Sequence, residues 1–147
     1  MSLDLVCVYC GSLADSEDHV VPRHLLKRAG ELSIDLSKVM RMKSWVHPCC
    51  RECNSILGGQ IFPTIQERRA AAHKGIRKKY ASYLRIPDWS DEELAVMGQT
   101  AQREIIAALA VRDWVRERLR WKGAKHVEDI SAVHGMAVDV LRKSRAS

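Results

Sequence analysis

Cys49-Cys50-Arg51-Glu52-Cys53-Asn54 is the stretch on which the reading of this chain turns. Cys50 and Cys53 form a C-x-x-C pair, and Asn54, the only asparagine in the chain, follows at once. Cys7 and Cys10 form a second pair, with 39 residues between the two pairs. Knuckles of this spacing supply four thiolates to one tetrahedral Zn²⁺, and a site closed by four cysteines is structural rather than catalytic. Bound zinc would fasten the two ends of the insertion and contribute folding energy. The remaining cysteine, Cys49, reads as a small buried hydrophobe.

Outward from these pairs, composition narrows the classes. Hydrophobic residues make up 46% of 147, enough for a core. The length suggests one domain, or a small domain with an extension. No run of about 18 apolar residues is present, so no membrane span is expected. The start has no basic region followed by an apolar run, so no secretory signal is expected, and the cysteines read as metal ligands before disulfides. A cytoplasmic location is the corresponding expectation. The net charge of +6 is unevenly placed: residues 63–87 hold seven Lys or Arg against one acidic residue, whereas residues 1–62 hold seven of each. A concentrated basic segment is the electrostatic footprint of a nucleic-acid binder, against the plainer reading of a solvated helix face.

Local patterns predict the elements. Leu5 to Gly11 reads as a short apolar run and a zinc knuckle turn. Glu17 to Val21 reads as a strand, and Pro22 to Ala29 as a short helix with Gly30 past its end. Glu31 to Lys43 reads as a loop, Ser44 to His47 as a second strand stopped by Pro48, and Arg51 to Leu57 as a helix ended by Gly58-Gly59. Thr64-x-x-Glu67 suggests a capping box opening a basic helix over 64–85. Its period puts Ile65, Ala72, Ile76, Tyr80 and Tyr83 on one face, with Lys74, Arg77, Lys78 and Arg85 opposite as candidate phosphate contacts. Ser90-x-x-Glu93 opens further helices over about 91–121. There Ile105, Ile106, Leu109, Trp114, Val115 and Leu119 are not confined to one stripe, which points to packing on two sides and to a homodimer through the C-terminal helices. A helical hairpin around Gly135 is expected over 127–143; its match to a DNA-reading helix-turn-helix is loose.

The insertion also carries Glu17-Asp18-His19-Val20-Val21-Pro22. Adjacent strand residues face opposite ways, so one of Asp18 and His19 could meet a metal while the other faces a substrate. Asp18 offers a hard oxygen and Asn54 a neutral carbonyl oxygen, a donor set suited to Mg²⁺ or Mn²⁺. His19 has the proton affinity of a general base at neutral pH. The plainer reading is a structural histidine in a loop; His24 and His47 read as surface or supporting residues.

The order C-x-x-C, Asp-His-Val-x-Pro, C-x-x-C-Asn resembles the HNH endonucleases of the ββα-metal (His-Me finger) group, and most resembles small phage proteins of that kind. The resemblance covers residues 7 to about 59. It implies a zinc-bound ββα-metal core over 1–62; with the mainly helical region read over 63–147, which lies outside the resemblance, the expected fold class is α+β. It implies a metal-dependent DNA endonuclease, phage or prophage encoded, with Asp18 and Asn54 holding the divalent metal and His19 as general base. Cys7, Cys10, Cys50 and Cys53 hold zinc. One position departs from the family: its middle asparagine would fall near Trp45. The alternatives are a branched-DNA resolving endonuclease with the same chemistry, similar only in architecture, and a non-catalytic zinc DNA-binding module.

Overall fold

A computed structural model describes residues 6–35, 37, 41, 46–123 and 131–146. Its first unit is a knuckle. The Cys7 N–H donates to the Ser12 carbonyl at 2.7 Å and the Gly11 N–H to the Cys7 carbonyl at 2.9 Å. Gly11 closes this turn at φ +74°, and a Cβ there would lie 2.6 Å from the Trp121 ring. Both the left-handed backbone and the packed indole therefore require glycine.

Strand β1 (Ser16–His19) pairs antiparallel with β2 (Val46–Cys49), Asp18 opposite His47 and His19 opposite Val46. Between them lies helix α1 (Arg23–Glu31), which includes Gly30 instead of ending before it. The second strand is not stopped by Pro48, which pairs with Glu17 inside β2. With two strands in the sheet, each is an edge, and proline is tolerated where no ladder N–H is needed. The Pro48 carbonyl faces the knuckle and accepts from the Val8 N–H at 3.2 Å. Helix α2 (Arg51–Leu57) follows as expected. The Asp15 carboxylate accepts from the Arg51 N–H at 2.9 Å, and Gly58, at φ +51°, ends the helix. Trp45, where the family's middle asparagine would fall, lies outside the described residues.

The helical part begins with α3 (Ile65–Lys79), whose Thr64 hydroxyl accepts from the Glu67 N–H at 3.1 Å. The expected helix to residue 85 is interrupted at Tyr80, and a separate turn, α4 (Ala81–Leu84), follows. Then come α5 (Asp91–Ala95), with both halves of the Ser90/Glu93 capping box, and α6 (Gln99–Arg120). Helix α7 (Ser131–Ala146) is continuous through Gly135, so the expected turn of a hairpin at that residue is not formed. The part of that expected hairpin before residue 131 lies outside the described residues.

The result is a mixed fold of a two-stranded sheet and seven helices among the described residues. One buried cluster joins its two parts. It runs from Tyr9, Val20, Leu25 and Leu57 to Ile65, Ala72 and Ile76 of α3, Val115 of α6 and Val140 of α7. Helices α2 and α3 approach so closely that a Cβ on Gly75 would lie 2.4 Å from Ile56 Cγ2. Burying that apolar surface holds the helices on the sheet.

Candidate metal centre and adjoining pocket

The sulfurs of Cys7, Cys10, Cys50 and Cys53 all lie within 4.8 Å of one another, and all four residues are buried. The turn of the knuckle delivers Cys7 and Cys10. Cys50 is the N-cap of α2, and Cys53 lies one turn on. The Sγ atoms of Cys10 and Cys50 are 3.7 Å apart. Tetrahedral zinc with bonds of ~2.3 Å separates its sulfurs by roughly 3.8 Å, so the set fits that ion. Crowding sets the four ionisations against one another. Contact with Cys10 and Cys49 pushes the Cys7 thiol up to about 11, while contact with Cys50 and Cys53 holds Cys10 far below the usual thiol range. A divalent cation removes that conflict by stabilising thiolate on every sulfur.

Two groups beside the sulfurs went unforeseen. Arg118 of α6, with a side chain 3% exposed, points Nη2 at Cys50 Sγ (3.8 Å) and Cys53 Sγ (4.0 Å). Its Nη1 donates to Glu52 Oε1 at 2.6 Å, and its guanidinium lies 4.6 Å from the Trp114 ring centroid. Glu52 in turn accepts from Lys79 at 2.6 Å and from the Tyr80 hydroxyl at 2.8 Å. Burial opposes the Glu52 charge, but the Lys79, Arg118 and Tyr80 contacts outweigh it and hold the carboxyl below its usual range. The residue between the two knuckle cysteines thus ties α3 and α6 to the metal centre.

A cavity of about 410 Å³ opens beside this centre, between β1, the start of α1 and the end of α2. Asp18, His19 and Asn54 all line it, with Glu17, Arg23 and His24 around them. The Asn54 Nδ2 donates to the Glu17 carbonyl at 3.3 Å, which leaves Oδ1 as the acceptor of that amide. His24 lies against Gly59, where a Cβ would stand 3.0 Å from its ring.

Asp18 is placed differently from the expectation. It is 2% exposed, and its carboxylate faces the interior. Arg68 Nη2 donates to Oδ1 at 2.7 Å and to Oδ2 at 2.8 Å, Arg68 Nε reaches Oδ2 at 3.1 Å, and the Tyr9 hydroxyl also donates to Oδ2. The Asp18 carboxylate lies where α3 presents Arg68, although the residue borders the cavity as well. Asp18 and Asn54 line one cavity, and both Asp18 oxygens are engaged by Arg68. Burial and the Asp18 charge together push the Tyr9 hydroxyl well above its usual pKa, keeping it a donor. On the next turn of α3, His73 donates its ring N–H to the Tyr9 carbonyl at 2.6 Å, and burial lowers its pKa.

The basic segment divides by partner. Arg68 is buried against Asp18, Arg69 donates to the Lys122 carbonyl, and Lys79 is paired with Glu52. Lys74, Arg77, Lys78 and Arg85 remain exposed, the first three on α3 and the last just after α4. On α6 the two sides differ: Val115, Arg112 and Arg118 are buried, whereas Ile106 is 49% and Trp114 44% exposed. Among the described residues no helix is long and apolar enough to cross a membrane.

Comparison with protein-family models, with curated proteins and with solved structures yields no match to this chain.

Proposed function

We propose that the chain is a DNA endonuclease of the HNH type, hydrolysing phosphodiester bonds with His19 as general base. The observation that carries this reading is that Asp18, His19 and Asn54 line one pocket between β1, α1 and α2, in a chain that also clusters four cysteines. His19 would accept a proton from water attacking phosphorus. The exposed Lys74, Arg77, Lys78 and Arg85 would hold the phosphate backbone without reading sequence. A catalytic Mg²⁺ or Mn²⁺, implied by the resemblance, does not fit the side chains as they stand. It would need an open carboxylate beside Asn54 Oδ1, and both Asp18 oxygens are engaged by Arg68.

That engagement favours a second reading, a zinc-stabilised DNA-binding module without catalysis. One experiment separates the two. Linear, supercoiled and four-way-junction DNA are incubated with the protein in Mg²⁺, in Mn²⁺ and in chelator. Cleavage that needs divalent metal and is lost in His19→Ala, with DNA binding retained, supports the nuclease. Preference for the junction would make it a resolving enzyme. Binding without cleavage on every substrate supports the module.

A further inference from the structure

Tetrathiolate zinc carries two net negative charges, and burying charge without compensation is costly. The described cation directed at the sulfurs is Arg118, held by three constraints that leave it little freedom: the Glu52 ion pair at 2.6 Å, the Trp114 ring at 4.6 Å and 97% burial implied by a side chain 3% exposed. Its fork splits the work, Nη1 to the carboxylate and Nη2 to the space between Cys50 Sγ and Cys53 Sγ. Lys79 shares the Glu52 carboxylate from its far side, at 2.6 Å, so Arg118 is not cancelled by Glu52 alone. Arginine suits this task because its charge is permanent and its planar fork reaches two acceptors at once.

We propose that Arg118 is the outer donor of the metal centre, a positioning residue whose N–H groups hydrogen-bond the Cys50 and Cys53 thiolates and hold the bound zinc in place. Groups in this second layer orient ligands and tune their basicity. A thiolate that accepts a hydrogen bond is less basic and less nucleophilic, so protons, alkylating agents and competing chelators gain less hold on it. The inference rests on the four-cysteine centre binding metal and is independent of the nuclease reading; absence of DNA cleavage would leave it untouched.

The test uses the full chain purified with zinc. Zinc transfer to a chromophoric chelator is timed for the parent and for Arg118→Met, Arg118→Lys and Val115→Ala. The Co²⁺-substituted forms are compared by their sulfur-to-metal charge-transfer band. Outer-layer changes of this kind cost about 10–100-fold in metal affinity, so Arg118→Met is expected to release zinc at least about tenfold faster. Its Co²⁺ band should move to lower energy, because the sulfur lone pairs lose their donor. Arg118→Lys should recover part of both effects. Val115→Ala, which loosens the same face of α6 without touching the sulfurs, should leave the band where it is. The proposal is overturned if Arg118→Met keeps the parent's release rate and band, or if Val115→Ala shifts both as far, since packing alone would then account for them. Parent protein that binds neither zinc nor Co²⁺ would overturn the metal centre itself along with this role.

Discussion

The buried Asp18–Arg68 pair makes the sharpest prediction, because its outcome separates a structural acid from a metal ligand. Arg68→Met removes the donors at 2.7, 2.8 and 3.1 Å and leaves a carboxylate 2% exposed with the Tyr9 hydroxyl as its neighbour. Breaking a buried pair on one side costs about 3–5 kcal/mol, since the remaining charge stays uncompensated. The retained Tyr9 bond puts the expectation at the lower end, about 3 kcal/mol. Asp18→Asn strands the Arg68 guanidinium, whose other contacts are the Tyr9 hydroxyl at 3.2 Å, the Gln60 carbonyl at 3.3 Å and the Phe62 ring at 5.6 Å, and should cost a similar amount. The double variant, Asp18→Asn with Arg68→Met, buries no unpaired charge and should be less destabilised than the sum by about 2 kcal/mol. Urea unfolding at saturating zinc, followed by tryptophan fluorescence, reads these values. With a slope of about 1.5 kcal/mol/M, a loss of 3 kcal/mol lowers the midpoint by about 2 M. If Arg68→Met costs less than about 1 kcal/mol and the two changes are additive, Asp18 is not held as described. The acid would then be available to a metal, as the resemblance to HNH nucleases implies.

Cys50→Ser should release the bound metal and unfold the part of the chain around the knuckle, because metal binding and folding are coupled; zinc retained by a folded Cys50→Ser protein refutes the centre. Changing Arg77 and Lys78 to Ala together should weaken DNA affinity and reduce the log–log salt slope by roughly 1–2; an unchanged slope means that this face is only solvated. Glu52 supplies a pH signature. Its folded pKa is depressed, so its stabilisation is complete above the unfolded value of 4.5 and is lost as pH falls through the folded one. The stability gap between parent and Glu52→Gln in urea should therefore be widest at neutral pH and shrink well below pH 4.5; a gap that grows on acidification contradicts the ion-pair account.

What could be read in the sequence was local. The C-x-x-C pairs, Gly58 after α2, and the Thr64 and Ser90 caps each act within a few residues, and the four-cysteine cluster and the helix ends follow from them. Pro48 and Gly135 read locally as breakers, whereas an edge strand tolerates proline and α7 runs through its glycine. The exposed set Lys74, Arg77, Lys78 and Arg85 followed from helical period, which assigns charges to the face opposite the apolar stripe.

The same rule concealed the most consequential residues. Arg68 falls three positions after Ile65 and four before Ala72, on the apolar stripe of α3, and Arg118 falls three after Val115 on the buried side of α6. An arginine on an apolar stripe is itself a signal: its charge must meet an acid, a carbonyl or an anion inside the fold. Which group it meets cannot be read from either helix alone. For Arg68 the partner is an aspartate 50 residues away, and for Arg118 a glutamate and two sulfurs between 65 and 68 residues away. Strand alternation narrows the first choice, since Asp18 and His19 must face opposite sides, but the sequence does not say which side holds the arginine. Once α3 sets Arg68 against Asp18, that acid is neutralised at the edge of the pocket it shares with the histidine. The two arginines thus divide the sheet and α2 between them: one occupies the acid that its motif would offer to a metal, and the other faces the four sulfurs placed to bind one.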